Sequence, residues 1–315
     1  MTSKPTRRRP RIRLLVLIAT AVLILGVVLY LREYRFSRPV GEGPAGPSVD
    51  RERFEGVWTD RKVHVLGIGD SITAGLGARS KRHSYFNRVI ENPRDEYADM
   101  RGICLSAVLP ELSSHNVAIS GSESEVHADV IEELEVLSDD VFGIVLMTSG
   151  GNDLIHSYGK AKPRECAMYG ATLTEAEPWI AKFETRLNAM FDSIEDRFPG
   201  GCEIYIGDIY DPTDGRGDAP SIYLPDWPDG LAIHARYNET IRGVASTREK
   251  VFVVPLYAAF LGHGSHCRKW WLKTYRREDP FYWFHTNVED PNDRGYDAIR
   301  RVFLNEIVAN TQLRS

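Results

Sequence analysis

"VLGIGDSITAG" (residues 65–75) runs from an apolar stretch into a small, polar turn bounded by glycines. Ser71 within it is either a nucleophile mounted at the end of a strand or the N-cap of the next helix, and these letters alone fit both. The decision rests on partners elsewhere in the chain. A serine hydrolase needs a base for the serine proton, a group that orients the base, and N–H donors for the oxyanion.

Upstream and downstream of this stretch, short apolar runs alternate with helical patterns. "VHVLGI" (63–68), "HNVAIS" (115–120), "VFGIVLMTSGG" (141–151), "EIYIGDIY" (203–210) and "VFVVPLYAAF" (251–260) are strand-like. "SEVHADVIEELEVL" (124–137) has helical spacing. "TEAEPWIAKFETRLNAMFDSIEDRF" (174–198) opens on a Thr-x-x-Glu capping signal and stops at Pro199-Gly200-Gly201. "DRGYDAIRRVFLNEIVANTQL" (293–313) reads as a terminal helix. Strands separated by helices require crossover connections, hence a mostly parallel sheet covered on both faces. Ligands of such sheets sit beyond the C-terminal strand ends. There the pattern places Gly69-Asp70-Ser71, the Gly121 turn and Gly150-Gly151-Asn152-Asp153.

These three turns supply most of a hydrolase site. Ser71 sits where a rigid strand end can fix its Oγ. Gly121 can bring a bare backbone N–H close to a substrate oxygen, and Asn152 offers a side-chain amide donor. Taken singly, each has a plainer explanation as a cap, a turn or a helix start. Their shared place at the strand ends favours the catalytic one.

The chain resembles the SGNH/GDSL hydrolase family through "GDSITAG" (69–75), "NVAISG" (116–121), "GGND" (150–153) and "PNDRGYDAI" (291–299). The resemblance spans most of residues 62–310. It implies a flavodoxin-like three-layer α/β/α sandwich and ester hydrolysis through an acyl-serine, with no metal and no cofactor. Ser71 becomes the nucleophile, and its own N–H, the Gly121 N–H and the Asn152 amide become the oxyanion hole, with Asp70 in support. The last block departs from the pattern, because Asp290 stands where the family has its histidine and no Asp-x-x-His occurs near it. Two of the nine histidines remain as bases. His285 lies on the loop entering the last helix, with Asp279, Glu289 and Asp290 as possible orienting acids. His266 lies in "GHGSHC" (262–267), which resembles a displaced Asp-Gly-x-His. His64, His83, His115, His127 and His234 read as structural.

The chain of 315 residues, 43% of them hydrophobic, is long enough for one sizeable domain with an appendage. Residues 1–13 hold six basic side chains and no acid, whereas the whole carries a formal net charge of −5. No basic stripe follows, so nucleic acid is excluded as a partner. Leu14 to Leu31 is uncharged, and at 1.5 Å per residue it spans roughly 27 Å, the thickness of bilayer hydrocarbon. It is followed by Arg32-Glu33-Tyr34-Arg35 rather than by a small-residue cleavage site, which favours a retained anchor over a signal peptide. The basic tail then stays in the cytoplasm and the main domain lies outside.

The boundaries expected are a basic tail 1–13, a transmembrane anchor 14–31, a linker 32–56 and a hydrolase domain 57–315. The linker assignment rests on "SRPVGEGPAGPSVD" (37–50), rich in Pro and Gly. Cys104, Cys166, Cys202 and Cys267 allow two disulfides or four buried thiols. "KWWLKTYRREDPFYWF" (269–284) is a platform for an acyl chain or sugar, or a small core of its own. The aspartates of "DPTDGRGDAPSIYLPDWPDG" (211–230) are better explained by Asx turns than by calcium.

The function expected is a membrane-anchored esterase acting on a lipid or O-acetylated glycan ester. Acyl transfer to envelope polysaccharide is the alternative within the enzyme class. A catalytically silent binding module is the alternative outside it.

Overall fold

Lys62–Ile68 (β1), Leu112–Asn116 (β2), Val141–Thr148 (β3), Cys202–Gly207 (β4) and Val251–Val254 (β5) pair in parallel as one sheet ordered β2-β1-β3-β4-β5. The computed structural model describes residues 9–287 and 289–314. Its helices are α1 (Arg9–Tyr30), α2 (Ser71–Ala74), α3 (Tyr85–Ile90), α4 (Ser124–Glu132), α5 (Gly151–Ile155), α6 (Leu173–Arg197), α7 (Gly230–Ser246), α8 (Leu256–Phe260) and α9 (Asp293–Asn310). The two-residue period of the strands divides the core. Ile144 and Leu146 of β3 face a cluster with α3, α8 and α9, while Val145 and Met147 face one with α4, α6 and α7. This is the expected three-layer α/β/α sandwich. The chain leaves β1 toward β2 on one side and pairs β1 with β3 on the other, which opens a crevice at the β1/β3 strand ends.

Several boundaries differ from expectation for local reasons. The second strand runs 112–116 rather than 115–120. Asn116 ends it by accepting the Ala118 N–H (3.1 Å) and donating to the Thr73 carbonyl (2.8 Å). The box that starts α6 is Thr172 with Glu175, earlier than the Thr-x-x-Glu first read there. The four cysteines are buried and unpaired.

The larger difference concerns residues 37–50, expected to be a free linker. They lie along α9. Arg294 donates to the carbonyls of Glu42 (2.6 Å), Gly43 (3.1 Å) and Pro44 (3.0 Å), and the Ala45 N–H donates to Asp297 (2.9 Å). A Cβ on Gly46 would stand 2.6 Å from the Ala298 Cα. Ala45, Val49 and Phe54 join the core, so the packed body begins well before residue 57. Pro and Gly signal only that a segment builds no ladder of its own; a helix can still satisfy its carbonyls through side chains.

Beneath this strap, Asp297 and Arg300 are buried with Arg88 and Glu96, and Arg300 meets both acids at 2.5–2.9 Å. Paired charges at this depth hold α9 in one position, because breaking a pair would strand the other charge in the core. At the other end of the chain, no residue of the apolar span Ile12–Phe36 is buried, and its length and composition fit a membrane span or a signal sequence.

Candidate active site

Asp70, not Ser71, caps α2: its carboxylate accepts the Ile72 N–H at 3.0 Å. The serine is thereby freed from the capping role that its sequence context allowed, and occupies the first helical position at the end of β1. Gly69 makes the turn at φ +143, where a Cβ would meet the Thr148 carbonyl at 2.4 Å, so the serine turn is pressed against the end of β3. Asp70 is buried and also accepts from Thr148 Oγ1 (2.9 Å). Since Thr148 has one hydroxyl proton, Thr73 must donate to Thr148 and Tyr85 to Thr73, both at 2.8 Å. Burial still pushes the Asp70 carboxyl up to about 6.

The two donor turns are tied to this one. The Ile119 N–H and the Ser122 hydroxyl both reach the Gly69 carbonyl, at 2.9 and 3.3 Å. Gly121 lies beside them at φ +85 with open space where a Cβ would be. Asn152 follows Gly150, itself at φ +93, and one of its amide hydrogens goes to the Ser122 carbonyl (2.9 Å), which fixes the direction of the other.

His127, read from sequence as structural, bridges the same turns. Its Nε2 lies 2.7 Å from Ser122 Oγ and its Nδ1 2.9 Å from Ser149 Oγ. Burial lowers its pKa to about 4, so the ring is neutral and donates through one nitrogen while accepting through the other. Only its helical spacing was visible in the sequence. We expect His127→Ala to lower kcat by about 10–10² with KM little changed, since the two donor turns would lose their brace. A variant that alters KM alone would show that the ring acts elsewhere.

The loop before α9 brings in Asp290. Asn292 caps α9 at the Arg294 and Gly295 N–H groups and donates to the Tyr282 and Phe284 carbonyls. Tyr296 donates to the Leu76 carbonyl (2.6 Å), joining α9 to the segment that follows α2. These contacts account for Asn and Tyr in "PNDRGY". Asp290 is buried; its Oδ2 accepts from the Asn287 amide, and its Oδ1 has no hydrogen-bond partner among the described residues. Ser71 and Asp290 line the same cavity. Burial raises the Asp290 pKa, and Ser71, Asn287 and His285 pull against that rise.

Of the two histidines expected as bases, neither ring hydrogen-bonds Ser71 among the described residues. His285 is exposed, with Nδ1 3.2 Å from Thr286 Oγ1, and contributes its backbone N–H to the Asp290 carbonyl (2.7 Å). His266 is buried with Nε2 2.9 Å from Asp218 and Nδ1 2.7 Å from Ser265 Oγ, and burial lowers its pKa to about 4. Asp214 accepts the N–H groups of Gly262, Gly264 and His266, and Asp211 those of Thr213 and Gly215, so both serve as turn staples.

A cavity of about 150 Å³ opens beside Ser71 and Asp290 under the ends of β3 and β4. Leu154, Ile155, Ile209, Ile222, Leu224 and Trp227 line its apolar part. The Trp227 Nε1–H is satisfied by the Ala171 carbonyl (2.8 Å), so the indole offers the cavity only its ring.

A 2-1-3-4-5 parallel sheet with a serine turn at its switch point, above an apolar cavity, defines an α/β/α hydrolase. The chain belongs to the GDSL-like lipase/acylhydrolase family, whose model matches residues 68–298, and is an SGNH-type esterase. An acetyl xylan esterase variant from Geobacillus stearothermophilus superposes with a TM-score of 0.51 at 17% identity, covering 82% of this chain and 99% of that one. A phospholipase A1 from Streptomyces albidoflavus NA297 gives 0.48 at 16%, covering 80% and 100%. The first of these shows a shared fold. No curated protein matches the chain.

Proposed function

We propose that this protein hydrolyses carboxylic esters of an apolar acyl chain through an acyl-enzyme on Ser71, with Asp290 as the proton acceptor. The observation that carries it is one apolar cavity lined together by Ser71, Asn152 and the buried Asp290 carboxylate, whose pKa the Ser71 side chain pulls down. Ser71 Oγ attacks the ester carbonyl carbon as its proton moves to Asp290 Oδ1. The Ser71 N–H, the Gly121 N–H and the Asn152 amide take the developing oxyanion. Collapse breaks the bond to the alcohol oxygen, which leaves with the proton from Asp290. Water then attacks the acyl-serine, gives a proton to Asp290, and the acid departs as Ser71 recovers its own.

A carboxylate is a weak base for a hydroxyl, and its elevation by burial moves it in the useful direction. Asn287 stands three residues before Asp290, the spacing of the family's Asp-x-x-His, and orients the carboxylate as that aspartate would orient a ring. α1 would anchor the chain, with the catalytic domain outside the cytoplasmic membrane.

Reaction with a fluorophosphonate, located by mass spectrometry, tests the assignment: the label is expected on Ser71. Absence of label favours a silent binding module instead. Asn152→Ala is expected to lower kcat by about 10²–10³-fold, the effect of losing one oxyanion donor. Unchanged turnover would remove Asn152 from the site.

A further inference from the structure

The stalk of the apolar helix and the rim of the cavity are one structure. Arg35 donates to the Pro220 carbonyl (3.4 Å), and Arg38 donates to the Ser221 carbonyl and to the Tyr282 hydroxyl (3.4 Å). The Tyr282 N–H returns a bond to the Pro39 carbonyl (2.7 Å). The apolar span ends at Phe36, so Arg35 clamps within its last turn and Arg38 follows its end by two residues, less than about 10 Å of chain. Higher on the stalk, Glu33 pairs with Arg268, and the Tyr34 ring lies 5.5 Å from that of Trp271. Such a domain has no tether on which to turn away from the helix that carries it.

The face presented beside the stalk is aromatic and basic. Trp270 is 65% exposed, Trp271 45% and Tyr223 69%. These are the side chains that settle at the level of lipid head groups, with an apolar body and one polar atom. Burial lowers the Lys269 pKa, Arg216 and Arg35 add to that and Asp218 opposes it, and Lys273 is exposed nearby. A basic group next to a membrane span is drawn to anionic head groups. Tyr223 points outward between Ile222 and Leu224, and both of these line the cavity beside Ser71. One short loop therefore holds the stalk through its carbonyls, exposes an aromatic ring beside it, and walls the acyl cavity from within.

We propose that the face formed by Trp270, Trp271 and Tyr223 rests on the bilayer that holds α1, so that the esterase takes its substrate, a membrane-resident acyl lipid ester, from that bilayer across the 219–224 loop. The proposal rests on the hydrolase reading above and on α1 being retained. A lone aromatic patch would equally suit a sugar or a second copy of the chain. Its continuity with a 25-residue apolar span, through paired residues on both sides, is what selects lipid.

The test uses the full-length protein in vesicles of mixed zwitterionic and anionic phospholipid. Wild type and the Trp270→Ser/Trp271→Ser variant are compared on a long-chain ester embedded in the bilayer and on a water-soluble 4-nitrophenyl ester. Both indoles are exposed, so the variant keeps its core. Hydrolysis of the embedded ester is expected to fall about tenfold or more while the soluble ester is turned over as by wild type. Brominated lipids are expected to quench the wild-type tryptophan emission more than that of the variant. Equal rates on the embedded ester, equal loss on both esters, or equal quenching overturns the proposal. Wild type that is quenched yet hydrolyses neither ester overturns the hydrolase reading and the lipid-ester assignment, leaving only the docked face.

Discussion

Ser71→Ala is expected to lower kcat by about 10⁶-fold, with loss of fluorophosphonate labelling and an unchanged Tm. The size follows from the loss of the only atom that forms the acyl bond; the remaining oxyanion donors keep a small residual rate over water. The unchanged Tm follows from the cap. Asp70 holds the start of α2, and the Gly75 and Leu76 N–H groups bond to the Ser71 main-chain carbonyl (2.8 and 2.9 Å), which alanine retains. A stable variant with wild-type turnover would return Ser71 to a structural role and end the acyl-enzyme mechanism. Steady-state kinetics beside a thermal melt separate these outcomes.

Asp290→Asn is the second large effect, about 10²–10⁴-fold in kcat, the range for removing a positioned general base. The substitution keeps shape and removes only the charge that accepts the proton. The pH dependence has a definite sign. Asp290 works ionised, and burial raises its pKa above the ordinary 3.8. Log kcat/KM should therefore climb as pH rises through that elevated carboxyl value and then level. It should show no further step where an imidazole base would titrate, near 6.5. His285→Ala should leave both the plateau and the acid limb in place. The pair Asn287→Asp with Asp290→His rebuilds the family's Asp-x-x-His and should move the limb upward to the imidazole range. If His285→Ala abolishes turnover while Asp290→Asn keeps it, the proton goes to the histidine and the loop must rearrange on binding substrate.

The two proton acceptors considered from sequence illustrate what spacing can carry. His285 lies close to the right slot along the chain, yet its ring is exposed and turned to Thr286. His266 has an acid and a hydroxyl for partners, but they are Asp218 and Ser265 rather than Ser71. Asp290 was weighed only as a group to hold an imidazole. Its place in the cavity that Ser71 lines comes from the Tyr296 bond to the Leu76 carbonyl, a contact between segments distant in sequence, together with the local Asn292 cap of α9. The same holds for residues 37–50, where the scarcity of large apolar residues hid a strap whose residues 42–45 are held by α9.

By itself the sequence determined the parallel α/β sheet, the apolar N-terminal helix, and the three turns that carry Ser71, Gly121 and Asn152. Each of these depends on local chemistry: a two-residue alternation, an unbroken uncharged run, a glycine where φ must be positive. Only the tertiary structure decided that Asp70 rather than Ser71 caps α2, that Asp290 and Ser71 line one cavity, and that the stalk is clamped to the cavity rim. Those facts are distances between side chains brought together by packing, and no local pattern encodes a distance across the fold.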